Sequence, residues 1–191
     1  QEKLDAANLN FDKDLQDKPL TIFFQDEGRF GRINSLHRCW SPKSKRAIVC
    51  KQQIRQYVYA YTAVNPQTGE TFSLILPYAN SEAMKIFLNE MSKAYSNNRI
   101  IMIMDNASWH NDYSMSEIKN IEPLFLPARA PELNPVECIW HYIKENNFSN
   151  RIFKSIEKVE EKLVDVLCKL NNTKEKAIIK SMASFKWLPS F

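Results

Sequence analysis

Ile100-Ile101-Met102-Ile103-Met104-Asp105 is an unbroken apolar run that ends on an aspartate. Nothing in it alternates, which is what a strand buried on both faces requires, and such strands belong to parallel, helix-covered sheets. Just upstream, Asn80-Ser81 opens a stretch with Met84, Phe87, Leu88, Met91 and Tyr95 on one helical face and Glu82 near its amino end, where the helix dipole favours an acid. That helix reads as a crossover. Thr21 to Gln25 is a second buried run, β-branched and aromatic, and Asp26 follows it. A right-handed crossover puts the carboxyl ends of parallel strands on one sheet edge, so Asp26 and Asp105 meet there if their strands are neighbours.

The remaining elements fit around these two runs. Gly28 and Gly31 suggest a turn after Asp26, and Arg46 to Cys50 suggests a weak strand. Arg55 to Thr62 alternates with period two, Asn65-Pro66-Gln67-Thr68-Gly69 turns the chain, and Thr71 to Leu76 completes a hairpin. Asp112 to Lys119 is polar and compatible with a short helix, and Pro123 to Leu126 is a brief strand. Asn134 is suited to cap a helix that starts with Pro135 and buries Val136, Ile139, Trp140 and Ile143. A second amphipathic helix turns Ile156, Val159, Leu163, Val166, Leu167 and Leu170 inward. Residues 1–19 look polar and irregular, a lead-in or linker; the core is expected over 20–150, with a helical extension over 151–191.

At 191 residues and 44% hydrophobic content the chain suits a globular domain with a sizeable core. Its apolar runs fall far short of the roughly 20 residues that span a bilayer, and Gln1 to Asp5 carries no secretory signal, so no membrane association is expected. Cys39, Cys50, Cys138 and Cys168 form no C-x-x-C pair, which suits reduced thiols in a cytosol. The net charge of +4 is unevenly spread: no acid occurs from Gly28 to Gly69, a stretch that holds Arg29, Arg32, Arg38, Lys43, Lys45, Arg46, Lys51 and Arg55. A one-sign patch beside carboxylates points to a polyanion, with a solvated basic loop as the plain alternative.

Three acids carry the chemistry: Asp26, Asp105 and Glu137. Carboxylates brought together repel and raise each other's pKa, so a cluster of them implies bound cations and metal-dependent phosphoryl transfer. Each has a bland alternative. Asp26 has the place of a turn or cap residue, with Glu27 beside it as an alternative ligand. Asp105-Asn106 leads to His110, which either reaches the same site or orients a loop. Asn134-x-x-Glu137 has the spacing of a capping box, and the two roles of Glu137 differ in which way its carboxylate points. Trp109, Trp140 and Trp187 read as core or interface aromatics.

These acids in this order resemble the catalytic domain of DDE transposases of the mariner-like superfamily, most closely the bacterial insertion-sequence branch. The resemblance covers about Thr21 to Lys144. Its most specific piece is Leu126-Pro127 followed by Pro131-Glu132-Leu133-Asn134-Pro135-Val136-Glu137-Cys138-Ile139-Trp140, supported by Asp26-Glu27 and by Asp105-Asn106 with His110. Ala128-Arg129-Ala130 departs from the tyrosine and serine that relatives often carry there.

The resemblance implies a ribonuclease H-like α/β fold: a mixed five-stranded sheet flanked by helices, the first two acids on adjacent central strands and the third on a following helix. It implies that Asp26, Asp105 and Glu137 bind two Mg²⁺ or Mn²⁺ ions, with Glu27, Asn106 and His110 around them. Asp26 would bridge the ions, Asp105 complete one and Glu137 the other. The expected activity is metal-dependent cleavage of double-stranded DNA at element ends and strand transfer into target DNA, by a homodimer or larger assembly at the bacterial nucleoid in the cytoplasm. Arg29, Arg32, Lys43, Lys45 and Arg46 are expected to hold DNA phosphates. A catalytically silent, transposase-derived DNA-binding protein and a nuclease on the same fold are the competing expectations. The helix-turn-helix reader that such enzymes usually carry has no room in residues 1–20.

Overall fold

The computed structural model describes residues 2–106, 118–128 and 130–183. Strands β1 (Leu20–Ile33), β2 (Gln53–Val64), β3 (Thr71–Leu76), β4 (Arg99–Met104) and β5 (Ile121–Phe125) form one sheet in the order β3-β2-β1-β4-β5. The first three pair antiparallel, whereas β4 lies parallel to β1 and β5 parallel to β4. Helix α2 (Ser81–Ala94) makes the crossover from β3 to β4 and is capped by Asn80, whose side chain accepts from the Ala83 N–H at 2.9 Å. Its Met84, Phe87, Leu88 and Met91 cover one sheet face together with Phe23, Ile100 and Met102.

The other face is covered by α1 (Glu2–Leu9), α3 (Pro135–Ile143), α4 (Ile156–Leu170) and α5 (Thr173–Ala183), packed on Phe24, Phe30, Ile101 and Ile103. Adjacent residues such as Phe23 and Phe24 thus serve different cores, as strand alternation demands. The fold is therefore the expected mixed five-stranded sheet with helices on both faces. Helix α4 buries Val159, Leu163, Val166, Leu167 and Leu170 in the same cluster as Phe24 and Trp140. The β2–β3 turn backs onto this layer: Gly69, at φ 74°, has no room for a Cβ against the Lys176 carbonyl, and Asn171 exchanges hydrogen bonds with the Thr71 backbone at 3.1 and 2.8 Å.

Three local expectations are corrected. The chain does not turn at Gly28 and Gly31; β1 runs through both, paired to β2 from Phe24 opposite Val64 to Gly31 opposite Tyr57. The glycines answer close approaches instead, since a Cβ on Gly28 would stand 2.8 Å from the Trp140 ring, and one on Gly31 would overlap the Gln56 carbonyl. Residues 46–50 form no strand. They lie on an exposed excursion over 34–52 where Asn34 takes the Cys50 carbonyl at 2.9 Å and the Gln52 N–H at 2.8 Å, so a side chain ends the ladder. Residues 1–19 are not irregular throughout: α1 and the segment after it bury Leu4, Ala7 and Phe11 against the core. The expected helix from Asp112 falls, all but its end, outside the described residues.

Candidate active site

Asp26 stands in the middle of β1, on the face that carries Phe24 and Phe30 and that α3 covers. Alternation sends Glu27 to the opposite face, where Gln25 Nε2 donates to its carboxylate at 3.1 Å. Glu27 is therefore no substitute for Asp26 as a ligand. Phe24 lies beside Ile103 at the end of the parallel β1/β4 pair, and Asp26 and Asp105, each two residues further on, both line one cleft. Asp105 and Asn106 are exposed just past the end of β4.

The third acid is brought in by one residue. Asn134 caps α3 by accepting from the Val136 N–H at 3.2 Å, and its Nδ2 donates to the buried Gln25 carbonyl at 2.8 Å, immediately before Asp26. Helix start and strand are thus fastened together. The capping-box role for Glu137 is ruled out, because the Asn134 N–H already donates to the Pro131 carbonyl at 2.9 Å. Glu137 is exposed and, with Asp26, Asp105, Asn106 and Asn134, lines a cleft of about 290 Å³ whose apolar wall is made by Leu126, Pro127, Ala128, Ala130 and Pro131.

Burial pushes the Asp26 carboxyl up to about 7, and the neighbouring Glu137 and Glu27 charges add to the rise; the Glu27 backbone N–H and the Trp140 indole pull it back down. The indole N–H donates to Asp26 Oδ2 at 3.0 Å. A carboxylate this desolvated beside another acid is a strong cation receptor. The donor set is hard oxygen throughout, which suits Mg²⁺ or Mn²⁺ over zinc or copper. Among the described residues no three His, Cys, Asp or Glu side chains close around a single point. An ion here would take one or two carboxylates and complete its shell with water and phosphate oxygens, as Mg²⁺ characteristically does.

The basic residues separate into two kinds. Arg29 is exposed, its guanidinium 4.7 Å from the Tyr57 ring centre, and Lys43, Lys45 and Arg46 are exposed on the excursion over 34–52. Arg32 is different: it donates to the Phe153 and Lys154 carbonyls at 3.0 and 2.7 Å and to Gln56 at 2.7 Å. Its guanidinium straps β1 to the chain ahead of α4, a structural engagement that the expected phosphate contact would have to break. His110 lies outside the described residues. Sequence reasoning missed the roles of Asn134 and Trp140 toward Asp26; the one available signal was the spacing of Trp140, one turn beyond Glu137 on the same helical face.

A mixed 3-2-1-4-5 sheet with one acid on β1, a second just past the end of the adjoining β4 and a third on a later helix is the ribonuclease H-like fold. A family model described as DDE superfamily endonuclease matches residues 21–160, and the chain belongs to that family. It is 38% identical over 104 residues to the uncharacterized protein y4pE/y4sA of Sinorhizobium fredii (strain NBRC 101917 / NGR234), covering 54% of this chain and 77% of that one. To the transposable element Tc3 transposase of Caenorhabditis elegans it is 24% identical over 103 residues, 52% of this chain and 31% of that one. Among solved structures, the Mos1 strand transfer complex superposes with a TM-score of 0.64 at 16% identity, covering 85% of this chain and 50% of that chain. The Mos1 mariner paired end complex with Mn gives 0.60 at 16% identity, covering 85% and 52%. The chain thus spans about half the length of the Mos1 chains it resembles. No helix among the described residues is long and apolar enough to cross a membrane.

Proposed function

We propose that this chain is the catalytic core of a DNA transposase of an insertion element, acting on double-stranded DNA with two divalent cations, Mg²⁺ or Mn²⁺. The observation that carries the reading is the convergence of Asp26, Asp105 and Glu137 on one cleft, with Asp26 raised to about 7. Asp26, Asp105 and Glu137 are the residues that would hold the ions. When bound, such ions activate the attacking water or 3′-hydroxyl and stabilise the leaving oxygen of an in-line displacement.

The protein's own groups set up that chemistry. Trp140 orients one Asp26 oxygen, Asn134 fixes the helix that carries Glu137, and the wall of Leu126, Pro127, Ala128, Ala130 and Pro131 shields one side of the cleft. Arg29, Lys43, Lys45 and Arg46 hold backbone phosphates, and Asn106 flanks the acids. By the same reading the enzyme works as a homodimer or larger assembly on paired DNA ends, in the bacterial cytoplasm at the nucleoid; the Mos1 paired end complexes share the fold. The catalytic unit is assigned to residues 20–150. A strand-transfer assay with pre-cleaved duplex ends and a supercoiled plasmid tests the reading: joined product with Mg²⁺ or Mn²⁺ and none with EDTA is expected. Absence of any metal-dependent joining or cleavage overturns it.

A further inference from the structure

Helix α3 lies along β1 so that successive residues meet: Glu137 shares the cleft with Asp26, Trp140 packs on Gly28, and Lys144 follows with Nζ 5.5 Å from the Phe30 ring centre. Beyond Phe24 the strand has left β4 behind, and near its end a pocket of about 70 Å³ opens against the chain that leaves α3. Lys144, Ser149 and Arg151 line one side, and Arg29, Asn34 and Ser35 the other.

Lys144 and Arg151 are exposed, and among the described residues neither forms an ion pair. The adjacent acid, Glu145, faces His37 and His141 at 3.7 and 3.3 Å. The two walls are tied together: the Asn150 N–H donates to the Ser35 carbonyl at 2.9 Å, and Asn150 Oδ1 accepts from the His37 N–H at 2.9 Å. A π-helical turn over Lys144–Phe148 and a left-handed Asn150, at φ 57°, give the wall its shape. Such departures from regular backbone gather at functional sites. Lys144 and Arg151, both without an ion-pair partner among the described residues, face a small pre-formed pocket that Arg29 also lines, and together they are a receptor for one tetrahedral anion.

We propose that this pocket holds a backbone phosphate of the DNA strand being cut, and that Lys144 and Arg151 set how far along that strand the reacting phosphate lies. The proposal rests on the DNA-transposase reading above. From Glu137 to Lys144 the helix rises about 10 Å, so the held phosphate lies within a few nucleotides of the reacting one.

The test measures binding of the full chain to a labelled 30-base-pair duplex across a salt series. The Lys144→Gln/Arg151→Gln variant is compared with Lys174→Gln/Lys180→Gln, which removes equal charge from α5. Loss of one phosphate contact flattens the plot of log affinity against log salt by about 0.9 in the pocket variant only. Lys144→Arg/Arg151→Lys is expected to restore the wild-type slope, and thermal melts of each variant separate this from misfolding, since a folded pocket variant must still show the loss. An unchanged slope in the pocket variant, or an equal change in both variants, overturns the proposal. A wild-type chain with no salt-dependent DNA binding overturns the underlying reading as well, and so is told apart from failure of the pocket alone.

Discussion

The Trp140 indole N–H donates to Asp26 Oδ2 at 3.0 Å, tying the helix that carries the third acid to the strand that carries the first. The bond stabilises the charged carboxylate and opposes the rise that burial imposes. Trp140→Phe keeps most of the ring against Gly28 and removes the donor. The expected result is a folded protein whose Asp26 pKa climbs further, so the acid limb of the cleavage pH profile moves to higher pH and more Mg²⁺ is needed for half-maximal rate. A profile and metal requirement identical to wild type would make the contact merely structural.

Gly28→Ala is expected to act on the same junction by crowding. The added Cβ would sit 2.8 Å from the Trp140 ring, within a core where overpacking costs about 1–3 kcal/mol. Helix α3 must shift to relieve it, taking Glu137 along. Denaturant unfolding and cleavage rate should therefore fall together; a stable and fully active variant would show that the helix has slack the packing does not suggest.

Asp26 makes stability depend on pH in a definite direction. Its carboxyl is raised from 3.8 to about 7 on folding, so between those values the folded chain binds a proton that the unfolded chain releases. In metal-free buffer the folded state therefore loses stability as pH rises from about 4 to about 7, and the penalty is complete above that. Asp26→Asn removes the penalty: its Tm should match wild type near pH 4 and exceed it increasingly toward pH 7.5. Mg²⁺ should raise the wild-type Tm at pH 7.5 and leave the variant nearly unmoved. A Tm difference independent of pH would contradict the shifted carboxyl.

Much of this arrangement is legible in the chain, and the misses have physical causes. The runs before Asp26 and Asp105 are unalternating because both faces of those strands are buried, and the helix over Ile156–Leu170 declares its inward face by spacing alone. Gln25 to Ile33 hid its strand because Asp, Glu and two glycines compose like a turn. What overrode composition was tertiary: eight further residues of β2 pairing and a Trp140 ring that leaves Gly28 no side chain. Helix α1 was obscured by its polar composition, although Leu4, Ala7 and Phe11 stand at helical spacing. Arg46 to Cys50 reads as β-prone but has no strand to pair with. The contacts of Asn134 and Trp140 with β1 join residues more than a hundred positions apart, which no local pattern encodes.

The basic residues should divide experimentally as they do structurally. Arg29→Gln combined with Lys43→Gln, Lys45→Gln and Arg46→Gln is expected to weaken binding to unrelated duplexes alike and to flatten the salt dependence by about 0.9 per lost phosphate contact, with little change in Tm. Arg32→Gln should do the reverse, costing roughly 1–3 kcal/mol of stability through its lost carbonyl partners and leaving the salt slope intact. Salt titrations and urea melts of both variants decide it; a flattened slope for Arg32→Gln would return that residue to the DNA surface.

The central claim is that Asp26, Asp105 and Glu137 act together as the metal-binding carboxylates of a DNA-cutting site. Its most direct measurement is Mg²⁺- and Mn²⁺-dependent cleavage of duplex DNA by Asp26→Asn, Asp105→Asn and Glu137→Gln, each verified as folded by its melting transition. Each substitution removes a ligand charge at nearly constant volume, so all three should abolish cutting and retain the fold. Wild-type cleavage by any one of them would remove that residue from the site and contradict the account.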